Sequence, residues 1–127
     1  MPALHHIALG AQNIERLADF YQDLFALDAL KIHYDDHGEI RSIWLDLSPG
    51  ILMLEKSAHT DAPLKDMALG KGPFLLAFTM EEKDKDNFLQ KLTEKNLSLE
   101  GQTDFTYYFR DPENNRVAVS TYHPASV

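Results

Sequence analysis

The chain contains no cysteine. That removes disulfides, thiolate nucleophiles and Cys-ligated zinc or iron–sulfur sites, and leaves His, Asp and Glu as the expected protein ligands for any metal. No apolar run approaches the roughly 20 residues needed to span a bilayer, so no membrane is expected as a partner. Positive charge is scarce: 12 Lys and Arg stand against 20 Asp and Glu, a formal charge of −8. Nucleic-acid affinity comes largely from cations that neutralise phosphates, so a nucleic-acid partner is not expected, whereas a cationic small ligand is favoured by such a field. A glycine-rich phosphate loop, a Gly-x-Ser-x-Gly nucleophile turn and a His-Glu-x-x-His run are also missing. The opening residues Met-Pro-Ala-Leu-His-His-Ile lack the basic and apolar regions of a secretory leader, and a cytoplasmic location is the default expectation.

What remains is a chain of 127 residues, 44% hydrophobic and 25% charged. This length suits one domain, or two half-size modules sharing a core. Leu4 to Leu9 reads as a strand ended by Gly10. Asn13 can then cap a helix whose apolar positions Ile14, Leu17, Ala18, Tyr21, Leu24 and Phe25 fall at helical spacing. Leu30 to Tyr34 and Ile40 to Leu47 read as strands around the turn Asp35-Asp36-His37-Gly38. Ser48-Pro49-Gly50 turns the chain again, and Ile51 to Glu55 is mostly apolar, as expected of a strand covered on both faces.

Periodicity disappears from Lys56 to Gly72, and a linker or lid is expected there. Phe74 to Met80 is strand-like. Glu82 to Lys95 reads as a charged helix burying Phe88, Leu89 and Leu92, with Asn96 as a left-handed cap. Leu97 to Leu99, Phe105 to Phe109 and Arg116 to Tyr122 read as strands, the last two joined through Asp111-Pro112-Glu113-Asn114-Asn115. The order is strand, helix, three strands, written twice. Leu75-Leu76-Ala77-Phe78 repeats the character of His6-Ile7-Ala8-Leu9, and Asp111 repeats Asp46 at a slightly different offset, as a loop-length difference would produce.

These residues resemble a known family. His6-Ile7-Ala8-Leu9, Asn13-Ile14-Glu15-Arg16 and Phe20-Tyr21 with Leu24 are similar to the opening of the vicinal oxygen chelate superfamily. That group includes glyoxalase I, extradiol dioxygenases, fosfomycin-resistance enzymes and bleomycin-resistance proteins. Phe109-Arg110-Asp111-Pro112, followed by Asn115-Arg116, resembles its closing signature. The resemblance implies an α+β fold of two βαβββ modules forming a cupped mixed sheet, with a helix on the outer face of each module. Residues 1–127 would then be one glyoxalase-like domain, with module one over about 1–56, a linker over about 57–72 and module two over about 73–127. It also implies a homodimer, because small members commonly pair, and a divalent metal at the cup's centre where one is present.

The resemblance places metal ligands on the first and fourth strands of each module. His6 matches the first position, but Leu75 and Ala118 fall on two others. The remaining position is Met53 if Asp46 aligns with Asp111 without a gap, and Glu55 if a short gap intervenes. Only His6 and Glu55 are therefore candidate metal ligands, and no cofactor is expected, with a divalent metal as the alternative.

The candidate ligand-binding set is His6, Met53, Glu55, Leu75, Ala118, Ser120 and Tyr122. Ser120 and Tyr122 share the alternation of Ala118 and should line the same cup. Glu55 is also the candidate catalytic residue, since a carboxylate facing a partly dry cup can serve as a general base or bind a cation. Alternation points only one of His5 and His6 into the cup. Trp44, Tyr107, Tyr108 and Phe109 supply aromatic surface near it, with core packing the ordinary role of such a stripe. His33 and His37 flank Asp35-Asp36 and are expected to be solvated, while His59 and His123 receive no role.

Three functions fit this pattern. The first is a metal-free small-molecule binder like the bleomycin-resistance proteins, which sequester a bulky ligand in the cup. The second is a glyoxalase-like lyase or isomerase, or a dioxygenase, in which His6, Glu55 and further ligands hold a metal that polarises a substrate oxygen. The third is a regulatory or interaction domain whose cup is filled by its own side chains.

Overall fold

The structure is a computed structural model and describes residues 3–57 and 75–122. The chain divides into two compact units, Met1–Pro63 and Leu64–Val127. His59, His123 and most of the expected linker lie outside the described residues.

In the first unit, β1 (His6–Ala11) leads into α1 (Ile14–Phe25), followed by β2 (Ala29–Tyr34), β3 (Ile40–Asp46) and β4 (Ile51–Lys56). Gly10 does not end β1, because the parallel ladder with β4 carries on through Gly10 and Glu55 to Ala11 and Lys56. The Asn13 side chain accepts a hydrogen bond from the Arg16 backbone N–H, satisfying one of the donors that a helix start leaves orphaned. The helix buries Ile14, Leu17, Ala18, Tyr21 and Leu24, while Phe25 is only half-buried. The sheet order is β1-β4-β3-β2, with β1 parallel to β4 and the other pairs antiparallel. Helix α1 packs on β3 and β4, over Ile43, Leu45, Leu52 and Leu54, all buried.

Strand β4 departs from expectation. Leu52 and Leu54 are 0% exposed, but Ile51, Met53 and Glu55 between them are half-buried. The strand has one covered face, and its apolar run is not the mark of two-sided burial.

The second unit repeats the plan with β5 (Leu76–Thr79), a single 3₁₀ turn (Glu82–Asp84), α2 (Lys85–Glu94), β6 (Gly101–Gln102), β7 (Thr106–Arg110) and β8 (Arg116–Ser120). Its sheet order is β5-β8-β7-β6, again with one parallel pair. Both units are α+β, as expected. The Phe88 ring of α2 lies 6.1 Å from that of Phe109. Only Leu92 of the helix is buried, Phe88 and Leu89 being half-buried.

The strand expected at Leu97–Leu99 does not form, and β6 begins two residues later. Asn96 adopts φ 58°, and the Leu97 N–H donates back to the Leu92 carbonyl, closing the helix end. Pairing with β7 starts only where the Glu100 N–H reaches the Tyr108 carbonyl. β8 stops at Ser120, short of Tyr122.

Candidate functional site

Each sheet has one face covered by its helix and one that is helix-free. In the first unit, partners across the ladders share a side, so the helix-free face can be read row by row. Its central row is Ala8, Met53, Trp44 and Lys31. One neighbouring row is Gly10, Glu55, Ser42 and His33, and the other is His6, Ile51 and Asp46. Glu55, Met53 and Trp44 are half-buried, whereas His6 and Ala8 are exposed.

The second unit carries a matching central row of Ala77, Ala118 and Tyr108. Ile7 pairs with Leu52 and Leu76 with Val117, so Leu75, immediately before β5, is the counterpart of His6. By the same registers Met53 is the counterpart of Ala118, and Glu55 that of Ser120. Asp46 pairs with Ile51 and Arg110 with Arg116. In strand register Asp46 therefore corresponds to Arg110 rather than to Asp111, because the β7–β8 turn is one residue longer.

The resemblance of Asp46 to Asp111 survives as turn chemistry. Each accepts the backbone N–H two residues ahead, from Ser48 and Glu113 respectively. The Ser48 hydroxyl also donates to Asp46 and holds that carboxyl below the usual range. Asp111 is 5% exposed and accepts from the Asn115 N–H and side-chain amide as well. Asp35 uses the same device, accepting from the His37 and Glu39 amides, and its carboxyl is likewise lowered, chiefly by Glu39.

His37 is exposed on this turn as expected, but His33 is not a solvated turn residue. It sits on β2, half-buried, with its ring 4.9 Å from that of Trp44. Its Nε2 is buried without a hydrogen-bond partner among the described residues. The Trp44 Nε1–H donates to the fully buried Ser42 hydroxyl at 2.9 Å. Strand alternation counted back from the turn would have placed His33 beside Trp44, but β2 looks too polar and exposed for its burial to be read from the sequence.

Several polar groups of the second unit's helix-free face partner one another. The Thr106 hydroxyl donates to the Ser120 hydroxyl at 2.9 Å, so Ser120 is held within the sheet. Arg110 donates through Nε and Nη2 to Glu100, and Arg116 lies over the Tyr108 ring, 5.3 Å from its centre. Arg110 beside Glu100 holds that carboxyl below the usual range. Tyr107 and Phe109 take the helix side and are core. Tyr122 lies beyond β8, 45% exposed, with its ring 5.7 Å from Phe105.

A cavity of about 600 Å³ opens at one end of the first unit, lined by Asn13, Glu15, Tyr34, Glu39, Ile40 and Lys56 among others. Two of its lining residues, Lys56 and Glu39, form an ion pair at 3.1 Å. It lies where α1 begins and the β2–β3 turn comes back.

The donors do not fit a family-type divalent metal. Leu75 and Ala118 have no donor atom, and Met53 has only a thioether. His6 and Glu55 share a face but stand four residues apart along the ladder, roughly 13 Å at strand rise, too far for upright side chains to meet on one ion. Among the described residues no three His, Asp or Glu side chains gather to hold a metal. No helix among them is long and apolar enough to cross a membrane.

Residues 3–119 match the pattern of the Glyoxalase/Bleomycin resistance protein/Dioxygenase superfamily. Among solved structures, a point mutant of the fosfomycin resistance protein FosX of Listeria monocytogenes, complexed with Mn(II) and 1S,2S-dihydroxypropylphosphonic acid, superimposes with a TM-score of 0.79. It is 12% identical, with 99% of this chain and 97% of that one covered. FosX from Mesorhizobium loti gives 0.74 at 12% identity, covering 99% and 96%. Lactoylglutathione lyase from Agrobacterium tumefaciens gives 0.64 at 21% identity, covering 93% and 92%. No curated protein sequence matches the chain.

Proposed function

Since the chain belongs to the Glyoxalase/Bleomycin resistance protein/Dioxygenase superfamily, we propose that it binds a small molecule on the helix-free sheet face and holds it without transforming it. The observation that carries this reading is the central row of each face. Small Ala8 and Ala77 stand beside Met53 and Ala118, with the Trp44 and Tyr108 rings on the other side. Small residues next to aromatic ones make an apolar floor on which a ring can lie, with a few polar groups to orient it. Glu55 is the polar group best placed for that, and the charge of −8 favours a cationic ligand.

The superfamily's divalent-metal chemistry is not part of this reading, because the positions that would supply ligands carry Met53, Leu75 and Ala118. A lyase or dioxygenase would have to draw on ligands other than the His6 and Glu55 pair. Trp44 is the single tryptophan, so its fluorescence reports directly on the face. A panel of aromatic and cationic small molecules should include ligands that change it saturably and are recovered unchanged by mass spectrometry. Conversion of a bound ligand, or stoichiometric divalent metal that is lost in His6→Ala, would overturn the reading. We further propose a cytoplasmic homodimer, and sedimentation of the purified chain tests the dimer.

A further inference from the structure

His5 and His6 are adjacent and exposed, and their imidazoles meet head-on. The two Nδ1 atoms are 2.9 Å apart, and the ring centres are 5.2 Å apart with planes at 84°. The difference between those distances is about twice the centre-to-nitrogen radius of an imidazole ring, so both nitrogens lie near the line joining the centres. One Nδ1–H therefore donates straight into the lone pair of the other. Both backbones are fixed at the start of the parallel ladder. The His5 carbonyl accepts the Ile51 N–H at 3.0 Å, and His6 pairs with Ile51 in register. The pair is held in place at the main chain and exposed at the side chains.

We propose that this pair is a binding site for a monovalent d10 metal ion, copper(I), held in linear two-coordination between the two Nδ1 atoms. A linear ion takes the position of the shared proton. With metal–imidazole bonds of about 2 Å, the nitrogen gap must open to roughly 4 Å, about 1 Å more than in the hydrogen-bonded pair. Exposed rings reach that by small side-chain rotations. The donor imidazole moves its proton from Nδ1 to Nε2, so two neutral rings bind the ion with no proton lost from the pair.

Coordination number sets the selectivity. Zinc and similar divalent ions need about four ligands in a closed site, and the described residues gather no group of three. Two imidazoles facing each other are too few for those ions but complete for a linear one. The site shares His6 with the divalent-metal candidates of the sequence but differs from them in needing His5, which they do not use, and in having no need of Glu55.

The test is anaerobic titration of the full chain with copper(I) against a chromophoric copper(I) chelator, with X-ray absorption on the loaded protein. The wild type should hold one equivalent in a linear site of two nitrogen donors. His5→Ala and His6→Ala should each weaken binding by about a hundredfold, as expected when a second intramolecular ligand is lost, with circular dichroism unchanged because both side chains are exposed. Glu55→Gln should bind as the wild type does. Equal binding by His5→Ala, a spectrum of three or more donors, or loss of binding in Glu55→Gln would overturn the proposal.

Discussion

Met53 on β4 and Ala118 on β8 occupy the same place in two separate sheets, each with an alanine on its parallel neighbour and an aromatic residue on its antiparallel one. Their neighbours Leu52, Leu54, Val117 and Val119 turn to the helix side and are buried. The two faces of β4 should therefore respond differently to truncation. Leu54→Ala should cost about 2–5 kcal/mol in urea unfolding, as for buried leucines elsewhere. Met53→Ala should cost clearly less and instead alter the Trp44 fluorescence response to ligand. Equal losses of stability would mean that the helix-free face is ordinary core.

Asp111 ties the β7–β8 turn from inside. It accepts two backbone amides and one side-chain amide, each at 2.9 Å, in a largely buried position. Asp111→Ala would orphan those donors and should cost on the order of 3 kcal/mol in chemical denaturation. Asp35→Ala removes a similar set at an exposed turn and should cost much less, because water replaces the lost acceptor.

The Asn13 cap is local and should behave as one. Asn13→Ala should destabilise the chain by about 1 kcal/mol, with Asn13→Ser close to wild type. Thermal unfolding followed by circular dichroism reads both.

Glu100 has a folded pKa lowered by Arg110, so its contribution to stability is present above the ordinary glutamate value. It is lost as pH falls through the lower folded value. The stability difference between wild type and Glu100→Gln should therefore shrink on acidification below the ordinary glutamate range. The partly exposed pair should also weaken with salt. A difference that grows as pH falls would contradict this assignment.

Much of this molecule could be read from its residues. Asn13 and the spacing of Ile14 to Leu24 define α1 because capping and amphipathicity are local. Asn96 with φ 58° and the Asp111 turn were likewise legible from residue type. The doubled order of strands could be read from His6–Leu9 and Leu75–Phe78, and the parallel ladders keep those residues in step. The strand expected at Leu97–Leu99 failed because apolar character does not say whether an amide closes a helix or joins a ladder.

The candidate site was less legible. Residue pattern placed His6, Met53, Glu55 and Ala118 on strands, and the lack of cysteine limits the metal chemistry at the level of composition. Whether Met53 or Glu55 matches Ala118, and whether His33 meets water or Trp44, depends on pairing between strands distant in the chain. A shift of one residue in that pairing sends every side chain to the opposite face. Local preferences along the chain decide that there is a strand at Ile51 to Lys56. Only hydrogen bonds to β1 and β3, formed when the sheet assembles, decide which of its side chains face α1 and which lie on the helix-free face.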